Sequence, residues 1–129
     1  MEKYEENILL SKDDLEKIKS ILKGKKFEDF KIHKYYFRDK FVGVIGKEPR
    51  HGISLKELKE IFQRISAITR GFKRNGESGY KYTLCYEESK HSHIRVGYFL
   101  DETPPKIFRA QRINRNLEKA ISKSYTIKI

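Results

Sequence analysis

The feature that most constrains the fold is a stretch between residues 81 and 111 in which apolar and polar side chains alternate. A period of two is that of a β-strand, whose successive side chains point to opposite faces of a sheet. A turn before His93 and a loop at Pro104 and Pro105 divide the stretch into three segments. The pattern therefore predicts a three-stranded antiparallel meander.

The two faces of this meander are predicted to differ sharply in chemistry. The apolar face is expected to carry Tyr82, Leu84, Tyr86, Ile94, Val96, Tyr98, Leu100, Phe108 and Ala110. The other face is expected to carry Lys81, Thr83, Cys85, Glu87, His93, Arg95, Gly97, Phe99, Ile107, Arg109 and Gln111. A small exposed sheet surface seldom gathers so many cations without a partner, so we expect this face to bind one. An ordinary solvated sheet face is the alternative.

Consecutive hairpins also predict which residues lie opposite one another. The expected pairs are Glu87 with His93, Cys85 with Arg95, Thr83 with Gly97, Gly97 with Arg109, and Arg95 with Gln111. Because glycine has no side chain, Gly97 is predicted to expose bare backbone between Arg95 and Arg109. A ligand is expected to approach closely at that point.

Charge and length narrow the class of protein. The chain has 129 residues and a formal net charge of +11 at pH 7. Residues 1–29 hold eight acids and seven bases, so residues 30–129 carry +12. A field of that sign attracts polyanions, and nucleic acid is the expected one. The sequence has no apolar run of the ~20 residues that span a bilayer and no secretory pattern, so we expect a cytoplasmic protein.

Two helices are predicted before the meander. The first begins at Ser11, whose hydroxyl can cap it, and ends at Gly24. The second begins at a capping box formed by Ser54 and Glu57 and is expected to end near Ser66.

The remaining segments are predicted from their glycines and basic residues. Three glycines in residues 71–79 indicate a long mobile turn, with Lys73 and Arg74 at a cationic tip. After the meander, Asn114 is expected to cap a short helix. One side of that helix is expected to form a basic stripe that continues from Arg112 with Arg115, Lys119 and Lys123. Residues 125–129 are either a tail or an edge strand.

The predicted architecture is a single α+β domain over residues 1–129. We expect an antiparallel sheet of about four strands packed against two or three helices. Residues 1–26 are interpreted as an N-terminal helical extension and residues 27–124 as the core.

A strand, a helix introduced by Arg50-His51-Gly52-Ile53-Ser54, a meander and a basic C-terminal helix follow one another in this chain. This order, with Tyr82-Thr-Leu-Cys-Tyr and Ile107-Phe-Arg-Ala-Gln-Arg, resembles the RelE-like fold and its BrnT-type ribonuclease toxins. The phage endoribonuclease RegB has a similar layout. The resemblance covers roughly the last two thirds of the chain. It implies an enzyme that cuts RNA without a metal, or a relative that kept the fold and lost the activity. In BrnT-like chains an arginine usually stands where this chain has Gln111.

Metal-independent RNA cleavage needs a base, an acid and a cation that stabilises the phosphate. His93 and Glu87 are the predicted proton-transfer pair, with two arginines holding the phosphate and His51 or His33 entering from the helix side. The candidate catalytic residues are His93, Glu87, Arg95, Arg109 and His51. Alternatively, His93 is a turn residue, Glu87 pairs locally, and no site exists.

A nucleic-acid-binding protein without turnover is the second hypothesis. Its predicted contacts are Lys73, Arg74, Lys81, Gln111, Arg112, Arg115, Lys119 and Lys123. RNA is the preferred ligand and DNA the alternative. A toxin would also have an acidic antitoxin partner, and a homodimer is a further alternative. A protein-interaction scaffold is the third hypothesis. No metal or cofactor is expected, because His91 and His93 have no further ligands at suitable spacing.

Overall fold

A computed structural model describes residues 7–37, 49–76, 79–122 and 126–127. Within these residues, seven strands form one mixed sheet in the spatial order β2-β6-β5-β4-β3-β1-β7. The strands are β1 (Asn7–Leu9), β2 (Lys31–Ile32), β3 (Ile68–Gly76), β4 (Gly79–Ser89), β5 (Ser92–Phe99), β6 (Lys106–Ile113) and β7 (Thr126–Ile127). The helices are α1 (Lys12–Lys23), α2 (Leu55–Phe62) and α3 (Leu117–Ser122). The α+β class is confirmed, whereas the expected four strands are too few. The expectation of a purely antiparallel sheet is also wrong, because β2 runs parallel to β6 and β7 runs parallel to β1.

The central meander has the predicted register. Strands β4, β5 and β6 are antiparallel neighbours, and the pairs Glu87–His93, Cys85–Arg95, Thr83–Gly97, Gly97–Arg109 and Arg95–Gln111 are all formed. The side-chain period of two and the short connection between β4 and β5 are enough to set this pairing.

Strict alternation fails in β6, where the pairing with β5 shifts by one residue. Gly97 lies opposite Arg109 but Tyr98 lies opposite Ile107, so Phe108 is the extra residue of a β-bulge. Ile107 consequently belongs to the main core, and Phe108 stacks on Phe99, with ring centroids 4.5 Å apart. The predictions that Phe108 faced the core and Ile107 faced away are therefore wrong.

The predicted mobile turn at residues 71–79 is also wrong over most of its length. Residues 71–76 belong to β3, which is antiparallel to β4, while residues 77 and 78 lie outside the described ones. A Cβ on Gly71 would lie 2.8 Å from Leu10 Cδ1 and 3.0 Å from Leu84 Cδ2. This glycine therefore allows a close approach inside the core, not a turn.

One face of the sheet is covered by α1 and α2, whose predicted starts are confirmed. The Ser11 and Ser54 hydroxyls each accept a hydrogen bond from an amide three residues on, both at 3.1 Å. Apolar side chains of both helices, including Leu15, Leu22 and Leu58, are buried in the main core. Helix α2 ends at Phe62, earlier than predicted, and a 3-10 turn follows at Ile65–Ala67. Because β1 and α1 join the sheet and core, the described part of residues 1–26 is integral to the domain.

The opposite face is partly covered by α3. Leu117 and Ile121 pack there on Phe72 and Cys85. The helix begins after Asn116, whose Oδ1 accepts a hydrogen bond from the Lys119 amide at 3.2 Å, so the predicted cap at Asn114 is wrong. Strand β7 pairs in parallel with β1, which realises the edge-strand alternative for residues 126–127. Among the described helices, none combines the length and the apolar character that crossing a bilayer requires.

Candidate anion-binding site beside helix α3

Next to α3, the sheet face holds a cavity of about 190 Å³. Three arginines line it, each from a different strand: Arg74 on β3, Arg95 on β5 and Arg109 on β6. We call these three residues and the cavity between them the arginine pocket. Thr83 and Asn7 add further polar groups, and Phe72 and Phe108 contribute apolar surface.

The strand register explains why these side chains meet. Phe72, Thr83, Gly97 and Arg109 form a row of directly paired residues across four strands. Arg74 is two residues beyond Phe72, and Arg95 is two residues before Gly97, so both arginines point to the same face as the row. The bulge at Phe108 keeps Arg109 on that face as well.

Within the described ranges, no ion pair neutralises the positive charge of the arginine pocket. Among the described residues, none of the three guanidinium groups forms an ion pair with a carboxylate. Arg109 Nε is buried without a hydrogen-bond partner in that part of the chain. Burial lowers the pKa of Arg109, and repulsion by Arg74 and Arg95 lowers it further. Such a group is satisfied when an anion supplies the acceptor.

His93 has a different place from the one predicted. Its side chain is fully buried, its Nε2 accepts a hydrogen bond from Arg95 Nε at 3.1 Å, and its Nδ1 lies 3.3 Å from the Arg115 carbonyl oxygen. A carbonyl only accepts, so we assign the proton to Nδ1 and a neutral ring. Burial lowers the pKa of His93, while the bond to Arg115 opposes that shift. The ring therefore orients Arg95 and is not placed to exchange protons with a ligand.

Glu87 lies opposite His93 in the register, as predicted, but outside the arginine pocket. Its carboxylate is exposed and accepts a hydrogen bond from Thr69 Oγ1 at 3.0 Å. The structure therefore does not bring Glu87 together with the arginines as a proton-transfer partner.

A second depression, of about 390 Å³, adjoins the arginine pocket and shares Arg74, Phe108 and Arg109 with it. It adds Tyr35, Arg50, His51 and Lys81. His51 is exposed, and its pKa is lowered by partial burial and then by the charges of Arg109 and Arg50. His51 is thus an exposed predicted histidine in the same depression as Arg74 and Arg109, whereas His93 is buried against Arg95. His33 lies at the sheet edge, with its ring 5.2 Å from that of Phe99.

Two predicted nucleic-acid contacts, Lys73 and Arg112, lie on the face of the sheet that α1 and α2 cover. Lys73 is opposite Tyr82, and its ammonium group is 4.9 Å from the centre of the Tyr80 ring. Lys73 and Arg74 therefore point to opposite faces, as neighbours in a strand must. Arg112 forms ion pairs with Glu57 at 2.7 Å and Glu88 at 2.9 Å, and these bonds raise its pKa. Arg112 therefore links β6 to α2 and β4 through ion pairs, and its charge is neutralised within the protein.

The remaining predicted contacts do not form a single helical stripe. Arg112 belongs to β6 and α3 begins only at Leu117, so that expectation is wrong. Gln111 lies opposite Arg95, Arg115 and Lys119 are exposed, and Lys123 is outside the described residues.

The predicted gap at Gly97 is filled by the side chain of Phe108, which strict alternation had predicted to face the core. A Cβ on Gly97 would lie 2.5 Å from Phe108 Cζ, so the ring covers the glycine. The opening lies beside Gly97, where Arg95 and Arg109 line the cavity. Phe72, Phe108 and Asn7 were missed as neighbours of the site. A glycine paired inside a strand was the one available signal for close packing.

Comparisons with known proteins gave no match, either to a family model, to a curated protein or to a solved structure. The resemblance to RelE-like and BrnT-type proteins therefore stays a prediction, as do the RNA, antitoxin and homodimer partners. In the part of the chain that the structure describes, no three potential metal-ligating side chains cluster.

Proposed function

We propose that this protein binds single-stranded RNA across the sheet face that carries the arginine pocket. The observation behind the proposal is the group of Arg74, Arg95 and Arg109, which lines a cavity without a carboxylate partner among the described residues. Guanidinium groups bond phosphate oxygens in pairs, so a phosphate is the anion that this group suits best. The net charge of +11 draws a polyanion to the same surface.

The adjoining depression offers contacts for the next nucleotides. Tyr35 there is 46% exposed, and an exposed ring can stack on an unpaired base. Lys81 lies in the same depression and supplies charge for a neighbouring phosphate. RNA is preferred over DNA because of the resemblance described above, so a DNA of equal sequence belongs in the test.

Binding is tested with a short single-stranded RNA that carries phosphate at both ends, by fluorescence anisotropy. We expect Arg109→Gln to weaken binding by about tenfold or more, because a charge-assisted hydrogen-bond donor is lost. Lys17→Gln is the matched control: it removes the same charge from an exposed position on α1. Equal losses in both variants would show that only net charge matters and would reject the arginine pocket as the binding site.

Cleavage of the bound RNA is the second candidate function, and the position of His51 favours it. His51 and Arg109 line one depression, and the lowered pKa of His51 keeps its ring neutral and able to accept a proton near pH 7. With RNA in the presence of EDTA, His51→Ala should abolish cleavage products and retain binding. His91→Ala removes an exposed turn histidine and serves as the control. Cleavage that survives in His51→Ala would exclude this role for His51. RNA that stays intact with the wild-type protein and with every variant would show that the protein binds RNA without cleaving it.

A further inference from the structure

The arginine pocket is small for a site that holds a whole nucleotide. Its volume is about 190 Å³. Pockets that enclose drug-sized ligands measure roughly 300–1,000 Å³. A phosphoryl group with its hydrogen-bonding partners suits the smaller volume, whereas a base and a sugar need the adjoining depression of about 390 Å³.

Packing restricts the directions in which a chain can leave this cavity. On the Phe72 side, Leu117 and Ile121 of α3 cover the sheet. Beneath it, the Phe108 ring lies over Gly97 and against Phe99. The adjoining depression begins at Arg74, Phe108 and Arg109, which line both cavities. A nucleic acid strand that crossed the pocket would meet α3, whereas a strand that ended there would not.

The donors and charges in the pocket exceed what an internal phosphate can use. A phosphodiester carries one negative charge and two free oxygens, but a terminal phosphomonoester carries roughly −1.5 to −2 near pH 7 and three. Arg95 Nε donates its hydrogen bond to His93, so the two terminal nitrogens of Arg95 remain as donors for a ligand. Further donors are Arg74, the Thr83 hydroxyl and Arg109 Nε, which has no hydrogen-bond partner among the residues that the structure describes.

We propose that the arginine pocket binds the terminal phosphomonoester of an RNA strand, with the first nucleosides in the adjoining depression. This proposal rests on the RNA binding proposed above and makes it specific for a strand end. A 5′-phosphate and a 3′-phosphate present the same group, and the choice between them belongs to the experiment.

The experiment compares four RNAs of one sequence: with hydroxyls at both ends, with a 5′-phosphate, with a 3′-phosphate, and with both. Anisotropy is measured with an internal label at constant salt. At least one phosphorylated end should raise the affinity of the wild-type protein about tenfold over the hydroxyl-ended RNA. The advantage should shrink at about pH 5, where the monoester is protonated to a single charge.

Variants test whether the preference for a phosphorylated end depends on the arginine pocket. Arg109→Gln should remove the advantage of the phosphorylated end, so that this variant binds all four RNAs with affinities within about twofold of one another. Arg74→Gln, at a half-buried position, is the second variant in case Arg109→Gln does not fold. Lys17→Gln should retain the advantage. Arg109→Lys should lose most of it, because lysine keeps the charge but not the planar fork.

Two outcomes would overturn the proposal, and they are distinguishable. Equal binding of all four RNAs, with Arg109→Gln weakening each of them alike, would assign the pocket to internal phosphates and leave RNA binding intact. Absence of binding to every RNA at moderate salt would reject the RNA-binding function itself.

Discussion

Strand β6 carries two arginines three positions apart, and their surroundings are opposite. Arg112 points to the face that α1 and α2 cover, where Glu57 and Glu88 bind its guanidinium group and raise its pKa. Arg109 points into the arginine pocket, where burial and two neighbouring cations lower its pKa. A basic residue thus indicates a ligand only where the fold leaves its charge unneutralised.

The largest effect is expected at Gly97, which the Phe108 ring covers on the face that carries the arginine pocket. Gly97→Ala should lower the free energy of unfolding by about 1–3 kcal/mol, because the new methyl group overlaps the Phe108 ring. The displaced ring should also weaken binding of phosphate-ended RNA. Urea denaturation and anisotropy measure the two effects.

Gly24→Ala is the control for this substitution. Gly24 has φ −82°, and the nearest atom to its added Cβ would be 3.6 Å away, so stability should change by less than about 1 kcal/mol. Similar losses in both variants would mean that Phe108 does not fill the space above Gly97.

Replacing each arginine of β6 with methionine sharpens the comparison directly. Arg109→Met should raise the free energy of unfolding by about 1–2 kcal/mol, since it removes a half-buried cation that has no carboxylate partner within the described ranges. Arg112→Met should lower it by about 0.5–1 kcal/mol, since it breaks two partly exposed ion pairs. Urea denaturation at moderate salt measures both changes. Changes of the same sign would contradict the different roles assigned to these residues.

The smallest expected effect is the change that His93 causes in the free energy of unfolding as pH falls. Its unfolded pKa is about 6.5 and its folded pKa is lower, so the unfolded chain takes up the proton first as pH falls. Stability contributed by the neutral ring is therefore present above about pH 6.5 and is lost between the unfolded and folded pKa values. The slope for one proton is at most about 1.4 kcal/mol per pH unit.

Comparison of variants isolates this contribution. The slope below about pH 6.5 should be shallower in His93→Ala than in the wild-type protein. His91→Ala, in the exposed turn, should retain the wild-type slope. Identical slopes for the wild-type protein and His93→Ala would mean that the buried ring takes up a proton as readily as in the unfolded chain.

Local features of this chain were more predictable from its sequence than the residues that make up the site. Ser11 and Ser54 identified two helix starts, because capping depends on an amide only three residues away. The basic C-terminal stripe failed because a strand and a short helix share it, and the glycine-rich stretch failed because Gly71 packs against distant side chains. Both Arg109 and Arg112 were predicted to contact a ligand, because the sequence does not show that Glu57 and Glu88 neutralise Arg112.

By itself, the sequence determined the α+β class, the three central strands and their pairing. A period of two together with a tight turn leaves little freedom in which residues face each other. Only the tertiary structure decided that β3 adds Arg74 to the site, that α3 closes one side of it, and that His93 is buried behind Arg95. Those outcomes depend on a one-residue bulge and on packing between segments far apart in the chain, and neither leaves a periodic signal in the sequence.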